Sequence, residues 1–196
     1  MSPSLTRRSR HVFDRGAGVR HPRRCRPGPG GPEEDTEGGF QHGGWQFDYD
    51  DGTVAAWEKN TEALLLGRRT YELFAGSWGV WPEDADGLQG ELTRRYNRIP
   101  KYVASRSLTE VGWTNSYLLG PDVPGAVERL RGEPGGEIRV WGSTELIRTL
   151  AEHDQIDEYR LLVHPLVLGV GKKLFGDGFP TPGSRSWSRA RRPPAS

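Results

Sequence analysis

Long apolar runs are missing from this sequence, cysteine and methionine nearly so, and each absence removes a class of protein. No stretch approaches the roughly 18 to 20 uninterrupted apolar residues that a spanning helix needs. Only 34 % of the residues are hydrophobic and mean hydropathy is −0.71. A helical membrane protein is excluded. The basic start is not followed by an apolar segment of signal-peptide type, so secretion has no support. Cys25 is the single cysteine and cannot close an internal disulfide, while His11, His21, His42, His153 and His164 are too scattered for zinc spacing. The expectation is a cytoplasmic protein without a metal site. What is present is 196 residues, enough for one domain of ordinary size.

The formal net charge of +1 hides a division. Of 27 basic and 26 acidic residues, eight Arg and one acid (Asp14) fall in 1–32, and four Arg with no acid in 183–196. Residues 33–182 therefore hold 15 basic against 25 acidic residues, a net of −10. The two ends are largely Arg, Pro, Gly, Ser and Ala, without a hydrophobic period of 2 or 3.6 residues. Their composition admits a basic arm for nucleic acid, an organelle transit segment or a disordered tail. It also admits out-of-frame translation of a GC-rich gene, the reading preferred here, because Arg, Pro, Gly and Ala are what GC-rich codons specify in any frame. The run Pro27-Gly28-Pro29-Gly30-Gly31-Pro32 speaks against the transit segment.

The middle alternates between turn residues and periodic segments. Asp50 or Asp51 supplies an N-cap for a helix of about 12 residues through Val54, Trp57 and Thr61. Ala63-Leu64-Leu65-Leu66 reads as a buried strand ending at Gly67. Thr70 can cap a helix over 71–78, and 84–97 reads as a mostly exposed helix. Strands follow at 101–105 and 116–119, a helix from Pro121-Asp122 to Arg131, and a strand over 137–141. Ser143 caps a further helix, and 156–164 is a long strand broken by Pro165. This rhythm predicts an α/β fold with a mostly parallel sheet covered on both faces.

Ligand sites in parallel sheets lie beyond the carboxyl ends of the strands. The residues there share a character: Gly67-Arg68-Arg69-Thr70, then Ser105-Arg106, then Gly142-Ser143-Thr144. Glycine lets backbone approach a ligand, helix starts present N–H groups, and Arg offers a planar fork to phosphate oxygens. Each turn taken alone reads rather as a capped helix start with a surface Arg. Their recurrence at successive strand ends favours a phosphorylated dinucleotide. Gly169-Val170-Gly171-Lys172-Lys173 lacks P-loop spacing and no G-x-G-x-x-G opens a helix, so neither a P-loop enzyme nor an ordinary Rossmann domain is expected.

Leu64 to Glu72, Pro100 to Arg106 and Val140-Trp141-Gly142-Ser143 resemble the dihydrofolate reductase fold. Ile156-Asp157-Glu158-Tyr159, His164-Pro165, Leu168-Gly169, Gly171-Lys172 and Leu174-Phe175-Gly176 are similar to the C-terminal reductase domain of RibD, the bifunctional riboflavin-biosynthesis deaminase-reductase. The resemblance covers about residues 30–182. It implies an NADPH-dependent reductase of a small heterocycle, similar to 5-amino-6-(5-phosphoribosylamino)uracil reductase or dihydrofolate reductase, and commonly a homodimer. By the same resemblance the turn at Gly67, Arg68, Arg69 and Thr70 holds the cofactor's phosphates together with Ser105 and Arg106, and the helix opening at Gly142, Ser143 and Thr144 faces the pyrophosphate.

Asp50 and Asp51 are the candidates for a catalytic acid, or else an N-cap and its solvated neighbour. Trp45, Phe47 and Tyr49 either line a pocket over a flat ring or pack a core. The family's first strand and its closing C-terminal hairpin have no counterpart legible in the sequence, so the fold is expected to lack both. A dimer is expected to bury Trp113, Trp141 and part of 161–167. A non-catalytic protein with basic arms, binding nucleic acid or a partner, is the competing reading.

Overall fold

The fold is built around Leu64, Leu65 and Leu66, three consecutive leucines without exposed surface, as a strand covered on both faces requires. The computed structural model describes residues 10–15, 44, 52–162, 174–176 and 178–180. In chain order the elements are β1 (Arg10–Arg15), α1 (Thr53–Glu58), β2 (Thr61–Gly67), α2 (Arg68–Ala75), α3 (Gly87–Arg98), β3 (Lys101–Ala104), β4 (Ser116–Leu118), α4 (Val123–Gly132), β5 (Glu137–Trp141), α5 (Thr144–Glu152) and β6 (Glu158–Leu162). The six strands form one sheet in the order β4-β3-β2-β5-β1-β6, and every pairing is parallel.

Strand alternation divides the core into two layers. Ala63, Leu65, Ile138 and Val140 meet Val127 and Leu130 of α4 and Leu146, Ile147 and Leu150 of α5 on one face. Leu64, Leu66, Val103 and Trp141 meet Val54 of α1, Tyr71 of α2 and Leu92 and Tyr96 of α3 on the other. The expected helix-sheet-helix architecture is therefore the one found.

The absent first strand is corrected. Arg10–Arg15 lies between β5 and β6, with Val12 opposite both Val140 and Tyr159. The three residues His11-Val12-Phe13, set among arginines, are too short a run to show a period, yet six residues satisfy the two rows of backbone groups that β5 and β6 present. The expected C-terminal hairpin lies outside the described residues.

Three helix starts also differ from expectation. α1 has six residues rather than about 12, starting after Gly52, and Thr61 belongs to β2. The backbone switches there because Glu137 N–H donates to the Asn60 carbonyl at 3.2 Å and β2 carries an irregularity between Thr61 and Ala63 that sets its register on β5. α2 begins at Arg68, directly after β2, so Thr70 sits inside its first turn rather than at its cap. Ser143 stands at the cap position of α5 but makes no cap bond with its side chain. Asp122 does cap α4, accepting from Gly125 N–H at 2.9 Å.

Candidate functional site

Because every strand runs the same way, all six carboxyl ends lie along one edge. β3, β2 and β5 are consecutive, and Gly67 is registered against Ala104. The three turns singled out in the sequence, after Gly67, after Ala104 and after Trp141, thus stand side by side.

Ser143 ties two of them together. Its Oγ accepts from Gly67 N–H at 2.8 Å, and its hydroxyl hydrogen has the Trp141 carbonyl at 2.8 Å and Thr70 Oγ1 at 3.0 Å in reach. The hydroxyl that would otherwise cap α5 is used instead between neighbouring strand ends. Ser143 and Gly142 both hold left-handed backbone, at φ 55° each, a conformation that a non-glycine residue adopts at a cost of roughly 1 to 3 kcal/mol and that clusters at functional sites. The approach is close: a Cβ on Gly142 would lie 2.9 Å from Thr70 Oγ1, and one on Gly67 3.3 Å from the Ser143 side chain. Neither α2 nor α5 has a side-chain cap bond at its start. Two helix N-termini with their partial positive charge therefore start next to each other, and such ends favour an anion.

The arginines differ in how they are held. Arg68 Nη1 donates to both carboxylate oxygens of Glu72 at 3.0 Å on the outer side of α2. Arg106 and Arg69 are exposed. Ser105 Oγ accepts from the N–H groups of Ser107 and Leu108 at 3.1 and 2.9 Å, which shapes the turn that presents Arg106.

Beneath the Gly142 turn lies a charge network that the sequence reading missed. Trp141 Nε1 donates to Glu58 Oε1 at 2.9 Å. Arg139, fully buried, pairs with Glu137 at 2.8 Å and stands 3.6 Å from Glu58. Arg160 reaches Glu137 at 3.1 Å from two strands away. Burial pulls the Arg139 guanidinium below its ordinary pKa, against the opposite pull of Glu58 and Glu137. The signal was available, since the alternation of 137–141 places Arg139 on a face of a sheet expected to be covered on both sides. Asp50, Asp51, Trp45, Phe47 and Tyr49 lie outside the described residues. Among the described residues, no group of acidic, His and Cys side chains is placed to hold a metal, and no helix is long and apolar enough to cross a membrane.

Residues 37–187 match the RibD C-terminal domain family. The uncharacterized protein YyaP of Bacillus subtilis is 33 % identical over 118 residues, covering 59 % of this chain and 60 % of that protein. The chain thus spans about 60 % of the length of the curated relatives it matches. Among solved structures it is similar in fold to a protein assigned to riboflavin biosynthesis from Shewanella sp. PV-4, with a TM-score of 0.55, 20 % identity, and coverage of 86 % of this chain and 84 % of that one. A second likeness is to the diaminohydroxyphosphoribosylaminopyrimidine deaminase/5-amino-6-(5-phosphoribosylamino)uracil reductase of Thermotoga maritima, with a TM-score of 0.50, 11 % identity, and coverage of 86 % and 48 %.

Proposed function

Because the chain belongs to the RibD C-terminal domain family, we propose that it is an NADPH-dependent reductase of a small heterocyclic substrate. The observation that carries this reading is the Ser143 bridge, which sets the starts of α2 and α5 side by side at the carboxyl edge of β2 and β5. Gly142 and Gly67 allow this close packing of the two turns, since a Cβ on either would press on Thr70 or Ser143, and the helix starts so brought together favour an anion such as a pyrophosphate. In this reading Gly67, Thr70, Gly142, Ser143 and Thr144 orient the pyrophosphate through backbone and hydroxyl groups. Arg106 takes the 2′-phosphate with its fork, and Arg69 lends charge from the exposed side of α2. Arg68 is a weaker contributor than its position suggests, because Glu72 already occupies its guanidinium.

NADPH supplies the hydride when bound, and the protein supplies orientation and a proton. We assign that proton to Asp50 or Asp51 and the cover over the flat ring to Trp45, Phe47 and Tyr49. Assembly as a cytoplasmic homodimer belongs to the same proposal, with one change: Trp113 and Trp141 are 7 % and 2 % exposed and serve the core, so the proposed interface keeps only the 161–167 region, of which Leu161 is exposed and 163–167 lie outside the described residues.

Fluorescence titration with NADPH and NADH tests the reading. Tighter binding of NADPH is expected, and Arg106→Ala should remove most of the difference. The loss of one charged phosphate contact is worth about 1.5 to 3 kcal/mol, roughly a ten- to hundredfold change in affinity. Equally weak binding of both nucleotides would sink the phosphate-clamp argument.

A further inference from the structure

α3 carries three arginines whose placement the strand-end site does not use. Arg94, Arg95 and Arg98 line a cleft of about 230 Å³ together with Glu91 and Ile99. Arg94 and Arg98 are four residues apart and so share a face of the helix, while Arg95 lies between that face and the protein body. The cleft is at the end of α3 that leads into β3, and Arg95 Nη1 donates to the carbonyl of Lys59, just before β2 begins, at 3.2 Å. It therefore sits at the amino-terminal edge of the sheet, across the molecule from the glycine turns.

The charge in this cleft is not neutralised. Arg94 donates to the carbonyl of Glu83, and Arg95 to that of Lys59. Each contact fixes a guanidinium through one of its five N–H groups and cancels none of its charge. Arg95 Nε is buried without a hydrogen-bond partner. The Arg98 guanidinium makes no hydrogen bond or ion pair among the described residues. Glu91 is the single carboxylate in the lining, and no ion pair joins it to the arginines. The Glu83 carboxylate is engaged by Asn97 Nδ2 at 2.8 Å. Glu83 keeps its charge while accepting from Asn97, so three guanidinium groups stand against two nearby carboxylates and leave a net of about one positive charge.

Basic residues in the last turn of a helix ordinarily serve its carbonyl end. Here another residue does that. Lys101, inside the core, donates its Nζ hydrogens to the carbonyls of Tyr96 and Ile99, so the arginines outside are surplus to capping. We propose that the α3 cleft binds a small phosphomonoester, whose dianionic phosphate meets the arginine forks while its organic part fills the remaining volume. The volume lies below the roughly 300 to 1,000 Å³ of pockets for larger ligands, which sets the size class. A concave site on the last turns of one helix also lacks the extended basic track that a nucleic-acid backbone needs.

Thermal unfolding of the full chain in inorganic phosphate, against chloride at equal ionic strength, reads this site. Phosphate should raise the melting temperature in a saturable way. Arg94→Gln/Arg98→Gln should weaken the apparent affinity at least tenfold, and both side chains are exposed, so the variant should fold. Arg106→Gln, at the opposite sheet edge, should remove only the share of the phosphate effect that the strand-end turns contribute and leave the α3 share in place. Loss of the effect in Arg106→Gln with retention in the α3 variant overturns the proposal, because the anion then belongs to the strand-end turns. A phosphate effect no larger than that of chloride overturns it too. Binding of an RNA oligomer through Arg94 and Arg98 without a phosphate effect would replace it with a nucleic-acid surface.

Discussion

Lys101 is a fully buried ammonium, with Nζ 4.4 Å from the centre of the Trp113 ring and donating to the Ile99 carbonyl at 3.0 Å. Withdrawal from water pushes its pKa down from 10.5 to about 8. Between those values the unfolded chain holds a proton that the folded chain has released, so stability rises with pH across that window. Tyr159 has the opposite sign. Burial, with Asp154 adding to it, raises its phenol from 10.0 to about 12, so the stability it contributes is present below pH 10 and lost as the pH climbs toward 12. The melting temperature is expected to increase from pH 8 and to turn downward above pH 10. Lys101→Met should flatten the rising limb alone, as circular dichroism melts over this pH series would show; a limb unchanged in that variant would assign it to another group. Neither residue was legible as special beforehand. Lys101 opens a strand where an exposed lysine is common, and its burial follows from α3 and the loop carrying Trp113, which the local sequence does not encode. Ser143 was legible as a helix cap, but its partner at Gly67 lies 76 residues away.

At the scale of elements, glycine in α3 shows propensity and packing in opposition. Alanine is favoured over glycine inside a helix by roughly 1 kcal/mol, so Gly90→Ala would stabilise α3 in isolation. A Cβ at Gly90, however, would stand 1.7 Å from the carbonyl oxygen of Ala85, a backbone atom that cannot step aside cheaply. Overpacking costs typically about 1 to 3 kcal/mol, which exceeds the propensity gain. Gly90→Ala should lower the denaturation midpoint, whereas Gly132→Ala at the end of α4, where a Cβ meets nothing within 4 Å, should be neutral or slightly stabilising. Urea melts of the two variants decide it, and equal effects would remove the clash argument. The elements themselves were largely readable. Runs such as Leu64-Leu65-Leu66 carry the signal of a two-sided buried strand, and β3, β4 and β5 were placed within a residue of their observed ends. The starts of α1 and α2 were not, because Asp51 and Thr70 look like caps while the backbone turns at Gly52 and Gly67. α3 is also less exposed than its polarity suggests, with Leu92, Thr93 and Tyr96 buried.

At the scale of the molecule, everything on the β6 side of the sheet depends on β1. The order β4-β3-β2-β5-β1-β6 places the six-residue strand between a four-stranded block and β6, and the Arg160–Glu137 pair spans the same interval from above at 3.1 Å. That ion pair closes only while β5 and β6 stay two strand spacings apart. β1 comes from the arginine-rich start that composition alone set aside as foreign to the fold. Proline tests the assignment directly, since it has no N–H and is excluded from strands paired on both sides. Val12 is registered against Val140 on one flank and Tyr159 on the other, so Val12→Pro breaks the ladder whichever side its amide serves. A buried carbonyl left without its donor costs about 1 to 3 kcal/mol, which for a chain of this size corresponds to a fall in melting temperature of roughly 2 to 12 °C. Amide hydrogen exchange should quicken along β5 and β6 while β2 and β3 keep their protection. An unchanged melting temperature and exchange pattern would remove β1 from the sheet and return 1–32 to a basic arm outside the fold.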